Sequence, residues 1–471
     1  MKNHIKKTGA IIICILFLSS CAVYHPLEID RTAIDTALNA PDLKQLTIET
    51  RHIDHPILKS LNIDLQNGLS PDEAALLAVV ANPAMRAIRD QKNIAAAGLI
   101  EAGLLPNPQL SASLDIPTGG DTAGAINAYG FSLGWDITAL IGRKDRIMAA
   151  QSEKAAIDLT VAWEEWQVAE SAKLQVLDVI WADKRLSLLN AARDDCDKNL
   201  AVIRKAVEAG EKTAADLAAA EAACSRLEQN ISEVAQEREQ NRLLLNQTLG
   251  LPPETDINVE KDIPAPGWPK IFENDDFMSG LVNRRPDLMA LNLGYESQEA
   301  RMREAILSQF PRINISLNRA RDTGNIITTG PGIDIEFPFF DRGQGRIALE
   351  RATRRKLYDE YMARIFDTRA DIAAITSKIM MERERIAIAE KSAEALQRLV
   401  DTFKAALDQG STDVLTYYQA RQDLIAKRLE IMRLRQSVTD LGIAYETATC
   451  IYSPIENNSE HGTEVNNEKL E

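Results

Sequence analysis

The sequence predicts a mainly α-helical fold with a small β-strand contribution, built from two copies of one helix–strand–strand–helix repeat. Three observations predict it. A set of sequence landmarks recurs at a spacing of about 200 residues, two helical stretches run for about 64 residues each, and four short segments alternate apolar residues with polar or small ones. We therefore expect long antiparallel coiled-coil helices joined to four membrane-spanning strands.

The chain begins with a pattern typical of a bacterial lipoprotein signal. Three lysines precede an apolar run over residues 10–18, which leads into Leu18-Ser19-Ser20-Cys21. The run is too short to span a bilayer as a helix, which takes about 20 residues, so we interpret it as the core of an export signal. We expect acylation of Cys21, with an ordinary cleaved signal as the alternative. Ala22 at the next position favours the outer membrane.

The composition limits the class of protein. The net charge of −15 argues against a nucleic-acid partner, because a face that binds nucleic acid must neutralise phosphates. Beyond the signal no apolar stretch reaches 18 residues, which excludes a helical integral membrane protein. The sequence shows no nucleophile elbow, phosphate loop, metalloprotease helix or close Cys/His cluster, so we expect no enzyme activity and no cofactor.

The two halves of the chain carry the same landmarks in the same order. The matching pairs are Asn82-Pro83-Ala84-Met85-Arg86 with Arg285-Pro286-Asp287-Leu288-Met289, Leu105-Pro106-Asn107-Pro108 with Phe310-Pro311-Arg312-Ile313, Ile141-Gly142-Arg143-Lys144 with Phe340-Asp341-Arg342-Gly343, and Glu208-Ala209-Gly210 with Asp408-Gln409-Gly410. We expect six segments: a signal peptide (1–20), a lipid-anchored linker (21–69), the first repeat (70–255), a Pro-rich linker (256–275), the second repeat (276–452) and a disordered acidic tail (453–471).

Each repeat predicts the same elements in turn. A helix runs from Pro83 to Leu104 or from Pro286 to Phe310, and it starts at a proline because proline suits the first helical turn. Two strands follow, whose alternating apolar residues are Leu110, Ala112 and Leu114, then Tyr129, Phe131, Leu133 and Trp135, and in the second copy Ile313, Ile315 and Leu317, then Ile333, Ile335 and Phe337. Apolar residues on one face and small or polar residues on the other are typical of a strand between lipid and water.

The longest predicted helices span 146–209 and 346–409 and carry the apolar spacing of a coiled coil. Each ends at a glycine, Gly210 or Gly410, which suits a helix C-cap. A returning helix then runs to about residue 250 or 450. Since the early and returning helices together nearly match the long one in length, we expect them to stack along it, with the strands at one end and the glycine turns at the other.

Residues 70–450 resemble the TolC-type outer-membrane efflux factors, most closely the lipoprotein members of tripartite efflux pumps. The residues that carry the resemblance are both proline helix starts, Leu105-Pro106-Asn107-Pro108, Phe337-Pro338-Phe339-Phe340-Asp341-Arg342-Gly343 and both glycine turns. The resemblance implies a homotrimer whose protomers each give four strands to a 12-strand barrel, with the helices forming a tunnel. It implies passive export of small molecules or metal ions, delivered by an inner-membrane RND-like pump through a periplasmic membrane-fusion adaptor.

Physical reasoning also favours a trimer. Four strands cannot close a sheet alone, and an open edge in lipid leaves unpaired backbone groups that cost several kcal/mol each. Outer-membrane lipid is therefore a partner only for the assembled protein.

The resemblance places the periplasmic aperture and the adaptor contact at the two glycine turns. The residues concerned are Gly210, Thr213, Asp216, Gly410, Asp413, Thr416 and Gln419. Asp216 matches a position that is often acidic in the constriction, whereas the comparable positions of the second copy are Thr416 and Gln419, so a doubled acidic ring is in question. Carboxylates facing each other across a narrow aperture would bind cations and raise each other's pKa. Alternatively, Asp216 is an ordinary solvated helix carboxylate.

Two further residue sets allow alternatives. Cys196 and Cys224 lie 14 residues from Gly210 on either side, so they would stand level on adjacent helices. A disulfide between them would need Cα atoms within about 7 Å, and otherwise both are small core residues. The sequence His52-Ile53-Asp54-His55 offers metal donors, but no further histidine lies near, so we expect no metal site there.

A periplasmic coiled-coil adaptor or scaffold lipoprotein is the competing hypothesis, because long helices and a lipid anchor would serve it too. An adaptor would show one helical hairpin between β-rich halves. This sequence predicts two hairpins and two pairs of alternating strands, which favours the export duct.

Overall fold

The structure is a computed structural model that describes residues 23–39, 43–53, 55–61, 63, 67–261 and 280–452. The chain divides into two compact units, Met1–Pro41 and Asp42–Glu471. In the first unit, helix α1 (Arg31–Leu38) begins after Asp30, whose side chain accepts a hydrogen bond from the Ala33 N–H at 2.8 Å. Several predictions lie outside the described residues: the signal peptide 1–20, acylation of Cys21, most of the Pro-rich linker and the tail 453–471.

The second unit opens with two short helices, α2 (Leu43–Thr50) and α3 (Pro71–Ala81). Helix α3 starts with a reciprocal capping box, in which Ser70 caps the Glu73 N–H and the Glu73 carboxylate accepts from the Ser70 N–H at 3.0 Å. Its residues are buried on nearly every side, and they pack with Trp166 in one hydrophobic core. Helix α3 is therefore an enclosed core helix of the second unit.

The remaining helices follow the order that the repeat predicts. They are α4 (Pro83–Gly103), α5 (Thr138–Ile141), α6 (Arg143–Glu208), α7 (Ala214–Thr248), α8 (Pro286–Leu307), α9 (Gln344–Asp408) and α10 (Val414–Thr449). At 66 residues, α6 is about 100 Å long. It contacts α4, α7, α8 and α10, so one helix of the first repeat packs against both repeats. No helix of the described residues is apolar enough over a sufficient length to cross a bilayer.

Helices α6 and α7 form one antiparallel hairpin, and α9 and α10 form the second. Far from α3, a second hydrophobic core joins the two hairpins, and its buried members include Leu189, Leu227, Val400 and Tyr418. The turns are short because a glycine ends each long helix in a left-handed conformation, with φ of +76° at Gly210 and +70° at Gly410. The N–H of the residue after each glycine reaches back to the helix, from Glu211 to Ala206 O at 2.8 Å in the first hairpin.

The four strands form one antiparallel sheet in the order β1-β2-β3-β4, with β1 (Gln109–Asp115), β2 (Ala128–Asp136), β3 (Arg312–Arg321) and β4 (Ile327–Glu336). The two repeats therefore meet at the central β2–β3 pair, in which Leu133 lies opposite Leu317. The strands β1 and β4 are the sheet edges of the protomer.

The predicted fold class is confirmed at the level of the protomer, because the described residues form two repeats with four long helices and four strands in the expected order. The helix ends differ by a few residues. Helix α8 ends at Leu307 rather than at 310, since Pro311 disfavours a helical residue before it. Helix α6 starts at Arg143 rather than at 146, directly after the short turn of α5. The domain boundaries drawn from the sequence stay predictions.

Candidate functional site

The first hairpin tip carries Gly210, Thr213 and Asp216. Thr213 is the N-cap of α7, and its hydroxyl accepts a hydrogen bond from the Asp216 N–H at 3.2 Å. The Asp216 carboxylate accepts in return from the Thr213 N–H at 2.9 Å and from the Thr213 hydroxyl at 2.7 Å. Asp216 thus has a structural role as half of a capping box, whatever else it faces.

The second tip repeats this design with a different residue. Asp413 is the N-cap of α10 and accepts from the Thr416 N–H at 2.6 Å. Thr416 is half-buried, and Gln419 is exposed one turn further along the helix. In the second tip the capping carboxylate, Asp413, therefore lies at the N-cap position itself. It is three residues before Thr416, the residue compared with Asp216 in the sequence.

The two caps lie close together. Hydrogen bonds from the Thr213 backbone and hydroxyl lower the pKa of Asp216, and the Val414 N–H adds to this effect. Hydrogen bonds from Thr416 lower the pKa of Asp413, while the neighbouring charge of Asp216 acts in the opposite direction. Within the protomer, hydrogen bonding thus outweighs the mutual raising of pKa expected for facing carboxylates. Whether these residues line an aperture stays a prediction about the assembled protein.

A disulfide joins the helices of the first hairpin. Cys196 and Cys224 are bonded, with Cα atoms 5.8 Å apart, and both side chains are buried. The small residues Ala192, Ala220 and Ala223 are buried in the same hydrophobic core as the two cysteines. The matching positions of the second hairpin hold Leu396 and Leu424.

The sheet has two chemically distinct faces. Residues directly opposite each other in an antiparallel sheet lie on the same face. The register therefore assigns every strand residue to one of the two faces. One face, here called the apolar face, carries Leu110, Ala112, Leu114, Tyr129, Phe131, Leu133, Trp135, Ile313, Ile315, Leu317, Arg319, Arg321, Ile327, Thr329, Pro331, Ile333 and Ile335. The other, the polar face, carries chiefly Ser, Gly, Asn, Asp and Thr, with a few Ala, Gln, Arg and Glu residues. Many large side chains of the apolar face are solvent-exposed in the protomer.

A buried ion cluster lies where α3, α6 and α10 meet, and the sequence reasoning missed it. The ammonium of Lys173 lies 2.8 Å from Glu446, 3.4 Å from Glu170 and 3.5 Å from Asp72. Burial alone would lower the pKa of Lys173, but these carboxylates outweigh it and raise that pKa. Burial raises the pKa of Glu170 well above the usual range. The only sequence signal is a lysine within an apolar stretch of α6.

A second polar junction links the first hairpin to α10. Arg185 is buried, donates to Glu237 at 2.8 Å and also hydrogen-bonds the side chain of Gln436. The Gln436 amide donates to Asp178 at 2.7 Å. Burial, with the nearby charge of Asp178, raises the pKa of Asp440 to about 7.

In the sequence His52-Ile53-Asp54-His55, the His55 ring has a structural role. His55 Nδ1 accepts hydrogen bonds from the N–H groups of Ile57 and Leu58, and its Nε2 lies 2.9 Å from the Ala162 carbonyl. Both ring nitrogens are thus engaged, and burial lowers the pKa of the ring. Asp54 lies outside the described residues.

A family model described as outer membrane efflux protein matches residues 278–444. No curated protein sequence matches the chain. The fold is similar to that of the Campylobacter jejuni CmeC outer membrane channel, at 15% identity and a TM-score of 0.67 over 94% of this chain and 96% of that one.

Two further solved structures are similar. The outer-membrane channel OprN shares 15% identity and a TM-score of 0.71 over 91% of this chain and 99% of that one. CusC, which forms a transmembrane channel, shares 17% identity and a TM-score of 0.68 over 87% of this chain and 99% of that one. At these identities the likeness shows the fold.

Proposed function

Because residues 278–444 of this chain belong to the outer membrane efflux protein family, we propose that the protein is the outer-membrane channel of a tripartite efflux system. Three copies would form a passive duct across the periplasm and the outer membrane. The duct would carry small molecules or metal ions that an inner-membrane, RND-like pump delivers through a periplasmic adaptor.

The observation that carries this proposal is the four-stranded sheet with one apolar and one polar face, attached to two long helical hairpins. An apolar face suits lipid, and a face of small polar residues suits water. The exposed edges β1 and β4 would be unacceptable in lipid unless they pair, since unpaired backbone groups there cost several kcal/mol each. Three protomers joined edge to edge would give the closed 12-strand sheet that lipid requires.

The hairpin tips would form the periplasmic end of the duct. Asp216 and Asp413 would bring two ionised carboxylates per protomer to the aperture, beside the surface that contacts the adaptor. An acyl group on Cys21 would hold the N-terminal unit to the outer membrane. Nothing in this mechanism requires a catalytic step.

The adaptor hypothesis explains less of the molecule. A periplasmic adaptor has no use for a sheet with large exposed apolar side chains such as Leu133 and Leu317, which are 50% and 58% exposed. It would also need only one helical hairpin, whereas the described residues form two.

The deciding experiment uses the full chain purified from outer-membrane fractions. We expect a trimer that resists SDS at room temperature and dissociates on heating, and stepwise conductance when it is added to a planar lipid bilayer. The heated, dissociated sample is the control and should give no current. A monomer in the soluble periplasmic fraction, or a trimer without conductance, would defeat the duct.

A further inference from the structure

The apolar face of the sheet becomes charged on β3 at the end where the β1–β2 and β3–β4 loops lie, here called the hairpin end of the sheet. Along β3 the residues on this face are Ile313, Ile315, Leu317, Arg319 and Arg321, so two cations follow three apolar side chains. Their partners across the register are Phe131 for Arg319 and Tyr129 for Arg321. The cations thus share one face with the side chains proposed to contact lipid.

Neither cation has an anionic partner among the residues that the structure describes. Among the described residues, which include both hairpin loops, no carboxylate lies within ion-pair distance of Arg319 or Arg321. The Arg321 guanidinium lies over the Tyr129 ring, 4.8 Å from its centre, and donates to the Asn127 carbonyl at 2.9 Å. The adjacent Asp322 is occupied by the turn, where it accepts from the Ile326 N–H at 2.9 Å.

The two cations would stay accessible in a trimer. Strand β3 is an inner strand, paired with β2 on one side and β4 on the other. Only the edges β1 and β4 are free to pair with neighbouring protomers. Edge-to-edge assembly would therefore leave the Arg319–Arg321 face exposed to whatever surrounds the sheet.

The level of this pair along the strands corresponds to a membrane interface. Membrane-spanning sheets carry aromatic residues where the apolar band meets the headgroups. On β2, Trp135 marks the helical end, where its indole donates to the Pro106 carbonyl at 2.7 Å, and Tyr129 marks the hairpin end. The six residue steps from Tyr129 to Trp135 span about 20 Å along the strand. Arg321 lies beside Tyr129, at the level of the headgroups furthest from the helices.

We propose that Arg319 and Arg321 form a binding site for phosphate groups of lipids in the outward leaflet of the outer membrane. The inference rests on the proposed function, which places the hairpin end of the sheet outward. Two guanidinium groups on one strand face, about 6–7 Å apart along the chain, suit phosphate because each can donate a pair of parallel hydrogen bonds. The apolar residues below them would contact the acyl chains of the same lipid.

The test measures lipid binding to the detergent-solubilised full-length trimer by native mass spectrometry. The probes are lipid A, lipid A from which phosphatase has removed the phosphates, and inorganic phosphate as a competitor. The native trimer should bind lipid A at least about tenfold more tightly than the dephosphorylated lipid. Inorganic phosphate at the same concentration should not displace it, since it lacks the acyl chains.

The variants separate charge from folding. R319Q/R321Q should lose at least about tenfold in affinity for lipid A, and R319K/R321K should lose less, because lysine keeps the charge but not the paired hydrogen bonds of the guanidinium group. R312Q is the matched control, because Arg312 lies on the same strand but on the polar face and at the helical end. If the glutamine variant does not fold, the comparison of the two lipids on the native trimer still decides.

The inference alone would be overturned by a conducting native trimer that binds both lipids equally, or by an R319Q/R321Q trimer that binds lipid A as the native one does. Displacement by inorganic phosphate would also overturn it, by showing a simple anion site. A native chain that forms no conducting trimer would overturn the proposed function together with this site.

Discussion

Lys173 is enclosed where helices α3, α6 and α10 meet, and three carboxylates share its ammonium group. Tyr452 closes the cluster, with its hydroxyl donating to Asp72 at 3.1 Å and its ring 5.0 Å from the ammonium. The single lysine holds together a short helix, a long helix and the end of the second repeat. Buried charges are costly unless they are compensated, so each partner depends on the others.

We therefore expect K173M to lower the free energy of unfolding by about 3–5 kcal/mol, because the carboxylates would stay buried without their cation. K154M is the control, since Lys154 forms an exposed pair with Asp158 and should change stability by under about 0.5 kcal/mol. Urea unfolding followed by circular dichroism measures both. Equal midpoints for the two variants would contradict the expectation.

Asp440 should make stability depend on pH. Its pKa is raised from 3.8 to about 7, chiefly by burial, so the folded protomer keeps a proton that the unfolded chain releases between these values. This contribution is fully present below pH 4 and is lost as the pH rises to about 7. D440N removes the ionisation and should become more stable than the native chain by about 1–2 kcal/mol at pH 8, discounted for partial solvation.

Unfolding curves at pH 5 and pH 8 measure the difference. D423N, at an exposed position of the same helix, should show no such change between the two pH values. A D440N advantage that is the same at both pH values would show that Asp440 is ionised throughout.

At the scale of the elements, the alternation of each strand decides which side chains would meet lipid in the proposed channel. Leu133 lies between Leu110 and Leu317 on the apolar face, and Ser132 lies between Ser111 and Asn318 on the polar face. Substitutions at neighbouring positions of a strand therefore fall on opposite faces, one on the face proposed for lipid and the other on the face proposed for water.

L133K should reduce membrane insertion, at a cost of about 2–4 kcal/mol per chain near the middle of the apolar band, whereas S132K should insert nearly as the native chain does. The yield of heat-modifiable trimer in outer-membrane fractions measures this. Similar losses for both variants would mean that the two faces are not assigned correctly.

The disulfide makes the two hairpins unequal. We expect C196S/C224S to increase amide hydrogen exchange over residues 196–224, because the cross-link no longer restrains local opening. Residues 396–424 of the same chain are the internal control, since Leu396 and Leu424 occupy the matching positions. Unchanged exchange near Gly210 would show that helix packing alone holds this tip.

Some features could be predicted from the sequence because they depend on neighbours along the chain. The helix starts at Pro83 and Pro286, the turns at Gly210 and Gly410 and the alternation of the strands are of this kind. The ion cluster of Lys173 is not, since its partners Asp72 and Glu446 come from distant segments. The closeness of Asp216 and Asp413 was likewise hidden, because it depends on how one hairpin lies beside the other.

At the scale of the whole molecule, three protomers would bring six tip carboxylates to one aperture. Hydrogen bonds lower the pKa of Asp216 and Asp413 below the ordinary 3.8, so both should be ionised at pH 5. D216N/D413N should therefore reduce the preference for cations over anions by roughly two- to threefold.

Reversal potentials in a potassium chloride gradient across a planar bilayer measure this selectivity. D401N, at an exposed position of α9 outside the tips, is the control. A D216N/D413N trimer with the selectivity of the native one would place the narrowest charged ring elsewhere.

The central β2–β3 pair joins two segments that are far apart in the chain and are therefore synthesised and exported at different times. The Ile313 N–H donates to the Thr138 hydroxyl at 2.6 Å across 175 residues of chain, and the whole β2–β3 ladder depends on the same long closure. During export, the edge of β2 that pairs with β3 stays unpaired, and its apolar face stays exposed, until the second repeat has also been exported. The nascent chain should then be vulnerable to aggregation. Periplasmic chaperones that shield extended apolar segments would be needed before the copies assemble into a trimer.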